Sequence, residues 1–435
     1  MTRLFLSVLG TGDYVEAYYR LGNKKFGPTR FAQCATVFFH CDDWVEKDRI
    51  VIFTTEEAYQ KNWLDLEQNG ALKGLKTCLE NLALKPAIES IRIPTGASEE
   101  EIWEIFDIMF RAMKEGDEVI FDITHAFRSI PMLAMVILNY ARVVKNISIR
   151  GIYYGAFETL GPPLKVKEMP VEERVAPIFN LTAFDELLNW SIALDRFIKT
   201  GDAGAVSDLS KDISTPILRQ KQGQDESARK TRDFAVAIQR FSQVMTACRG
   251  RSISESAAEL KSIIDESLSA GSTRVTLKPL LENLKRRLDV FTGDMVNDGF
   301  EAVRWCFEHN LIQQAYTILR ETIITKVSLE SGIDWETHDK REAVSSAMRA
   351  YYNGISRGSK IQGSDKCDQD VFKQCLPVME KNEGLVKIFC QSAEYRNDLN
   401  HAGLRENPHN IDGFRKKLAE FLSGIDEIKG SLKTE

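Results

Sequence analysis

Short apolar runs alternate with amphipathic stretches through the first 155 residues, and helical periodicity replaces them afterwards. The runs at 4–9, 35–40, 49–54, 90–93, 118–124 and 147–154 are rich in β-branched and aromatic residues, which predicts strands. Their alternation with helical segments predicts βα units and an α/β unit with a mostly parallel sheet. Ser98 and Glu101 form a capping box, and Ile102, Ile105, Phe106, Met109 and Met113 recur on one face, predicting a helix stopped by Gly116. A second helix is predicted from Pro131, a favoured first-turn residue. Its near-continuous apolar content over 130–144 predicts burial on several sides, against a sheet face or a dimer partner.

Gly161-Pro162-Pro163 and Pro170 punctuate the chain, after which strand signals fade. This places a boundary within 166–177 and gives an α/β domain over 1–170 and an all-α domain over 171–435. At least six amphipathic helices are predicted from residue 181, interrupted by polar stretches at 220–227, 271–274 and 354–370. Residues 181–300 read as an inserted or elaborated helical region. No internal repeat is visible.

A chain of 435 residues with 43% hydrophobic and 28% charged positions is ordinary globular material, which removes disordered and collagen-like readings. The formal charge of −6 leaves no global positive field for nucleic acid. A local one is present: residues 219–251 hold eight Lys and Arg against three Asp and Glu. It reads either as a solvated helix face or as an RNA-guiding surface. The longest charge-free apolar stretch, 129–141, has thirteen residues where a membrane span needs ~20. The apolar run at 4–9 is too short for a signal-peptide core, so a cytoplasmic protein is expected. The eight cysteines form no C-x-x-C pair and no zinc-type cluster, and are expected to be reduced and packed, with no metal site.

Two stretches of the α/β domain carry candidate chemistry. Gly10, Thr11, Gly12, Asp13 and Tyr14 follow the first strand, where open α/β sheets place ligand loops. Glycines there let backbone N–H groups approach a phosphate, or they simply make a tight turn. As a dinucleotide fingerprint the loop fails, because Val15 stands at the third glycine position. Asp122, Thr124, His125, Phe127, Arg128 and Ser129 then bring a carboxylate, two hydroxyls, an imidazole and a guanidinium to one strand-to-helix crossing. Together with a helix N-terminus these groups suit a phosphate-bearing ligand. The alternative is that Asp122 caps the turn, His125 is a core histidine and Arg128 is solvated. Thr54 and Thr55 end another predicted strand and would line the same rim.

Near the C-terminus, Arg396, Asn397 and His401 lie at the end of a patterned helix from about Leu385 that Gly403 would terminate. Asn397 and His401 share a face at i, i+4, and Arg396 lies about 140° from His401 but is long enough to reach the same cleft. Imidazole can transfer a proton, guanidinium can hold a phosphate as charge develops, and the amide can orient groups. A capped helix with a C-terminal histidine explains the same residues.

The run from Asp122 to Pro131 resembles the D-x-T-H-G signature of a CRISPR-associated family whose N-terminal domain is a Rossmann-like CARF domain, a sensor of cyclic oligoadenylates. Gly10-Thr11-Gly12 is similar to that family's first loop. Ala126 departs from it where the family commonly has glycine. Arg396-Asn397 with His401 resembles the R-x4-6-H motif of HEPN ribonucleases, and Leu311 to Tyr316 with Glu321 resembles an earlier core helix of that domain. The resemblance implies an auxiliary effector of type III CRISPR immunity with no cofactor. In it, cyclic oligoadenylate, taken as cyclic tetra-adenylate, binds Gly10 to Tyr14, Thr54, Thr55 and the 122–129 loop as allosteric activator. A metal-independent HEPN centre of Arg396, Asn397 and His401 then cuts single-stranded RNA. It also implies a homodimer or higher even oligomer, because the family's centre is composite.

A different class of reading keeps the nucleotide sensor and makes the helical domain a non-catalytic regulatory or oligomerisation module. A nicotinamide-dependent enzyme is disfavoured by Val15 and by the missing ribose-binding acid.

Overall fold

The computed structural model describes residues 2–66, 72–124, 130–269, 277–357 and 368–431. It divides into two compact units, Met1–Glu186 and Leu187–Glu435. The first is built on an eight-stranded sheet of β1 (Arg3–Leu9), β2 (Ala17–Leu21), β3 (Lys24–Thr29), β4 (Arg49–Thr54), β5 (Ala87–Arg92), β6 (Glu118–Asp122), β7 (Ser148–Gly155) and β8 (Val175–Asn180), in the order β3-β2-β8-β7-β6-β1-β4-β5. From β7 to β5 every pairing is parallel. β8 is antiparallel to β7 and parallel to β2, and β3 closes the edge antiparallel to β2.

The period-two pattern of β1 sorts its side chains into two layers. Phe5 and Leu9 pack with Ile50 and Ile52 under the helices Ala32–His40 and Leu75–Glu80, while Leu4, Leu6 and Val8 pack with Val51 and Phe53 under Glu99–Ala112 and Ile130–Lys145. Helices on both faces leave β1, β4 and β6 buried, which is why they read as near-continuous apolar runs, whereas the edge strand β5 stays partly exposed.

Four features differ from the sequence reading. Residues 35–40, predicted as a strand, belong to the helix Ala32–His40, in which seven of nine residues are buried. A short run buried on nearly all sides shows no useful periodicity, so Val37, Phe38 and Phe39 imitate a strand. Strands β2, β3 and β8 were not predicted: β3 carries two lysines, Gly27 and Pro28, a composition tolerated at a sheet edge, and β8 carries Pro177 in an interior strand, where the proline carbonyl still accepts from Ala156 N. Because β8 lies beyond residue 170, the sheet unit extends past the expected boundary and ends at Glu186. The helix Glu99–Ala112 stops before Gly116, with Lys145 Nζ donating to the carbonyls of Phe110 and Met113 at 2.7 Å each. Its start is as read: Ser98 Oγ accepts from Glu101 N, and Glu101 Oε2 accepts from Ala97 N.

The apolar helix Ile130–Lys145 buries Ala134, Ile137, Leu138 and Ala141 against the sheet. Tyr140 packs on Phe106 and Phe110 of the neighbouring helix while remaining half-exposed, and Met132, Val136, Val143 and Val144 are exposed, so the helix keeps an open apolar side within one chain.

In the second unit the described elements are helices and 3-10 turns around one core that includes Phe197, Phe241, Trp305, Tyr316 and Phe389. Those used below are Glu226–Thr246, Ile312–Glu330, His338–Ser356, Glu383–Asn400 and Ile411–Ser431.

Candidate functional site

After β1 the chain first forms β2 and β3 at the far edge of the sheet, then places β4 and β5 on one side of β1 and β6 and β7 on the other, so strand order reverses between β1 and β6. The crevice at the carboxyl ends of such neighbours is where open α/β sheets bind ligands. Gly10 to Tyr14 follow β1 and Thr124 follows β6, which puts both loops at this switch point. Thr54 ends β4, one strand further along.

An asparagine that the sequence reading did not select holds the glycine loop. Asn62, fully buried on the single turn Tyr59–Trp63, donates through Nδ2 to Gly10 O at 2.9 Å and Gly12 O at 3.0 Å. Arg30 adds bonds to Tyr14 O and to Asn62 Oδ1. With those carbonyls drawn inward, Thr11, Gly12 and Asp13 form the outer part of the loop. Tyr14 folds back over it: a Cβ on Gly12 would stand 3.1 Å from the tyrosine ring. Burial pushes the Tyr14 phenol up to about 12, opposed by hydrogen bonds to the backbone of Gly10 and Gly12. Asp13 is exposed and pairs with Lys61 at 2.9 Å, which lowers its carboxyl below the usual value.

At the end of β6, Asp122 is fully buried and sits opposite Ser7 in the β1–β6 register. Asp122 Oδ1 accepts from Thr124 N at 2.9 Å and Thr124 Oγ1 at 2.5 Å, and Thr124 Oγ1 accepts from Gly155 N at 2.8 Å. Burial raises the Asp122 pKa, against hydrogen bonds from Thr124 and Thr36. Among the described residues Ser7 Oγ and Gln33 Oε1 are buried without a hydrogen-bond partner, while Gln33 Nε2 donates to Val8 O. A polar floor thus lies beneath the switch point. Gln33, a lone amide inside the run at 31–39, was the available signal for it.

The hydroxyls expected to face a ligand are engaged within the protein. Thr124 locks β6 to β7. Thr54 Oγ1 meets Ser90 Oγ and accepts from Arg92 Nη1, both at 2.9 Å, and Thr55 Oγ1 caps the next turn by accepting from Ala58 N. His125, Phe127, Arg128 and Ser129 lie outside the described residues.

The helical candidates fall at the end of the helix Glu383–Asn400. His401 caps it, its N–H donating to Asn397 O, and Gly403 follows at φ +72°. Arg396 Nη1 lies 3.5 Å from Asn397 Oδ1, and Arg396 Nε is buried with no partner among the described residues. Asn397 and His401 are exposed. The sequence reading missed the support beneath them: buried Asp398 accepts from His409 N at 2.6 Å and His409 Nδ1 at 2.9 Å, tying down the connection to the helix Ile411–Ser431. These bonds hold the Asp398 carboxyl below the usual range. His409 also packs on Tyr395, with ring centroids 4.1 Å apart.

The basic arm is largely neutralised. Lys221 pairs with Asp225, Lys230 with Glu226, Arg232 with Asp233, Arg240 with Glu255 and Glu259, and Arg251 with Glu336. This favours the solvated face over an RNA guide. Among the described residues no group of three His, Cys, Asp or Glu side chains is placed to hold a metal, and no helix is long and apolar enough to cross a membrane.

Residues 4–158 match the model of the CARF domain of the CRISPR system endoribonuclease Csx1. The match spans β1 to β7 and includes both switch-point loops. The finding supports a CRISPR-associated CARF protein. Residues 186–293 match the second domain of CRISPR-associated protein MJ1674. That segment is the stretch read from sequence as an elaboration. CRISPR-associated protein MJ1674 of Methanocaldococcus jannaschii is 25% identical over 240 residues, which takes in 54% of this chain and 33% of that protein. The chain therefore spans about a third of the curated relative it matches. Neither matched model includes Arg396, Asn397 or His401.

Proposed function

We propose that this CARF protein is a cyclic oligoadenylate-activated, metal-independent endonuclease of single-stranded RNA, acting in type III CRISPR antiviral defence. What carries the reading is the match of residues 4–158 to the CARF domain of an endoribonuclease, with the glycine loop and the Asp122 turn at the switch point of that domain. The activator, taken as cyclic tetra-adenylate, lies against Gly10 to Tyr14 and the 122–129 loop. Asn62 and Asp122 set the loops; Thr54, Thr55 and Thr124 act by positioning them.

Cleavage is assigned to the helix end at Arg396, Asn397 and His401. His401 moves the proton between the ribose 2′-hydroxyl and the departing 5′-oxygen. Arg396 holds the phosphate as negative charge develops, and Asn397 keeps the guanidinium in place. The step needs no metal: the 2′-oxygen forms the new bond to phosphorus as the bond to the 5′-oxygen breaks, leaving a 2′,3′-cyclic phosphate and a 5′-hydroxyl.

An exposed apolar stripe of Met132, Val136, Tyr140 and Val143 supports a homodimer through the sheet unit. A self-complementary interface suits a cyclic activator with internal rotational symmetry. The decisive experiment is His401→Ala: cleavage should vanish while cyclic tetra-adenylate binding and the dimer are kept. Unchanged RNA cleavage in that variant removes the assignment of the centre.

A further inference from the structure

We propose that Arg320 and Arg349 join Arg396 in a patch that binds successive phosphates of single-stranded RNA; the choice of RNA rests on the nuclease reading of the Arg396–His401 end.

Three helices bring these arginines together. Arg320, on Ile312–Glu330, donates through Nη1 to Phe389 O at 2.6 Å, with its guanidinium carbon 4.1 Å from the centre of the Phe389 ring. Phe389 and Arg396 lie seven residues apart on Glu383–Asn400, two turns along one face. The third helix, His338–Ser356, meets the same place, because Cys390 Sγ lies 3.8 Å from Met348 O and Arg349 follows Met348. Arg349 is exposed and bonds Ser345 of its own helix through Nε and Nη2.

Among the described residues none of the three has a carboxylate partner. The nearest acid in sequence, Glu321, is bonded to Arg341 at 2.6 Å. Burial, then the like charges of Arg396 and Arg349, lower the Arg320 pKa to about 10. Glu321, already bonded to Arg341, offsets only part of the repulsion among the three cations, and Arg396 Nε is a buried donor with no partner among the described residues. A polyanion offsets both costs. Planar guanidinium forks match phosphate oxygens bidentately, and the Phe389 carbonyl and ring hold Arg320 so that little freedom is lost on binding. Phosphates strung along one strand suit cations strung over three helices better than a single anion does.

The test is anisotropy titration of the full chain with a short 2′-O-methyl RNA, which lacks the attacking hydroxyl and is not cut. Arg349→Gln, at an exposed position, should raise Kd by about ten-fold, in the range for a hydrogen bond to a charged group. It should also lower the slope of log K against log salt by about 0.7, the value for one single-strand phosphate contact. Arg320→Lys, which keeps the charge but not the fork, should also weaken binding, with thermal melting to show that the fold is kept. Unchanged Kd and slope in both variants would overturn the patch. So would wild-type protein that does not bind the RNA, or that binds poly-glutamate equally well. Binding lost in the variants, with no cleavage of unmodified RNA by activated wild type, keeps the patch and removes the nuclease. Cleavage with Kd and KM indifferent to both variants does the reverse.

Discussion

Thr124 Oγ1 donates to Asp122 Oδ1 at 2.5 Å and accepts from Gly155 N at 2.8 Å, so one hydroxyl joins the ends of β6 and β7 beside the switch point. Thr124→Ala removes both bonds and leaves a buried carboxylate under-satisfied. The expected cost is ~1–3 kcal/mol in urea unfolding. Thr124→Ser keeps the hydroxyl and should recover most of it. If Ala and Ser variants are equally stable, the hydroxyl is not what holds the turn.

Asp122 has a second, pH-dependent consequence. Burial raises its pKa in the folded protein above the ordinary 3.8. A raised acid favours the folded state fully below the unfolded pKa, and that contribution is lost as pH rises through the folded value. Asp122→Asn cannot ionise. The stability of wild type relative to the Asn variant should therefore fall as pH rises from about 3.8. A difference that is flat or grows across that window contradicts a buried, raised Asp122.

Asp398 titrates with the opposite sign. Hydrogen bonds from the His409 backbone and side chain lower its pKa in the folded protein. Its contribution is present above the unfolded value and lost as pH falls through the folded one. Asp398→Asn should be less stable than wild type at neutral pH, and the gap in Tm should close on acidification below about 3.8. A gap that persists in acid means Asp398 acts through shape and not charge.

The parallel sheet was legible because both of its faces are buried, leaving runs such as 4–9 and 49–54 almost free of polar residues. The helix Glu383–Asn400 was legible from its periodicity and from Gly403. The failures have a common physical origin in tertiary context. Residues 35–40 are apolar all round because the helix sits against the sheet, and β8 follows two proline-marked turns that look like a linker. Asn62 gives no local signal: its bonds to Gly10 and Gly12 span about fifty residues of chain. The hydroxyls of Thr54, Thr55 and Thr124 were correctly placed at strand ends, but sequence cannot tell a donor aimed at ligand from one spent on a turn.

Asn62 should control the sensor without belonging to its surface. Asn62→Ala leaves the carbonyls of Gly10 and Gly12 unpaired and frees the loop. We expect cyclic tetra-adenylate affinity to fall by about ten-fold, the equivalent of one or two net hydrogen bonds, as read by calorimetry. RNA cleavage at saturating activator should largely recover. Wild-type affinity in Asn62→Ala would mean that the glycine loop does not touch the activator.

The most direct test of the account is cleavage of labelled single-stranded RNA by the purified chain in excess chelator, with and without cyclic tri-, tetra- or hexa-adenylate. The account predicts cutting that depends on the activator, with cyclic tetra-adenylate effective, products ending in 2′,3′-cyclic phosphate and 5′-hydroxyl, and loss of cutting in Arg396→Ala and His401→Ala. RNA left intact with all three activators, or cut equally well by His401→Ala protein, would contradict it.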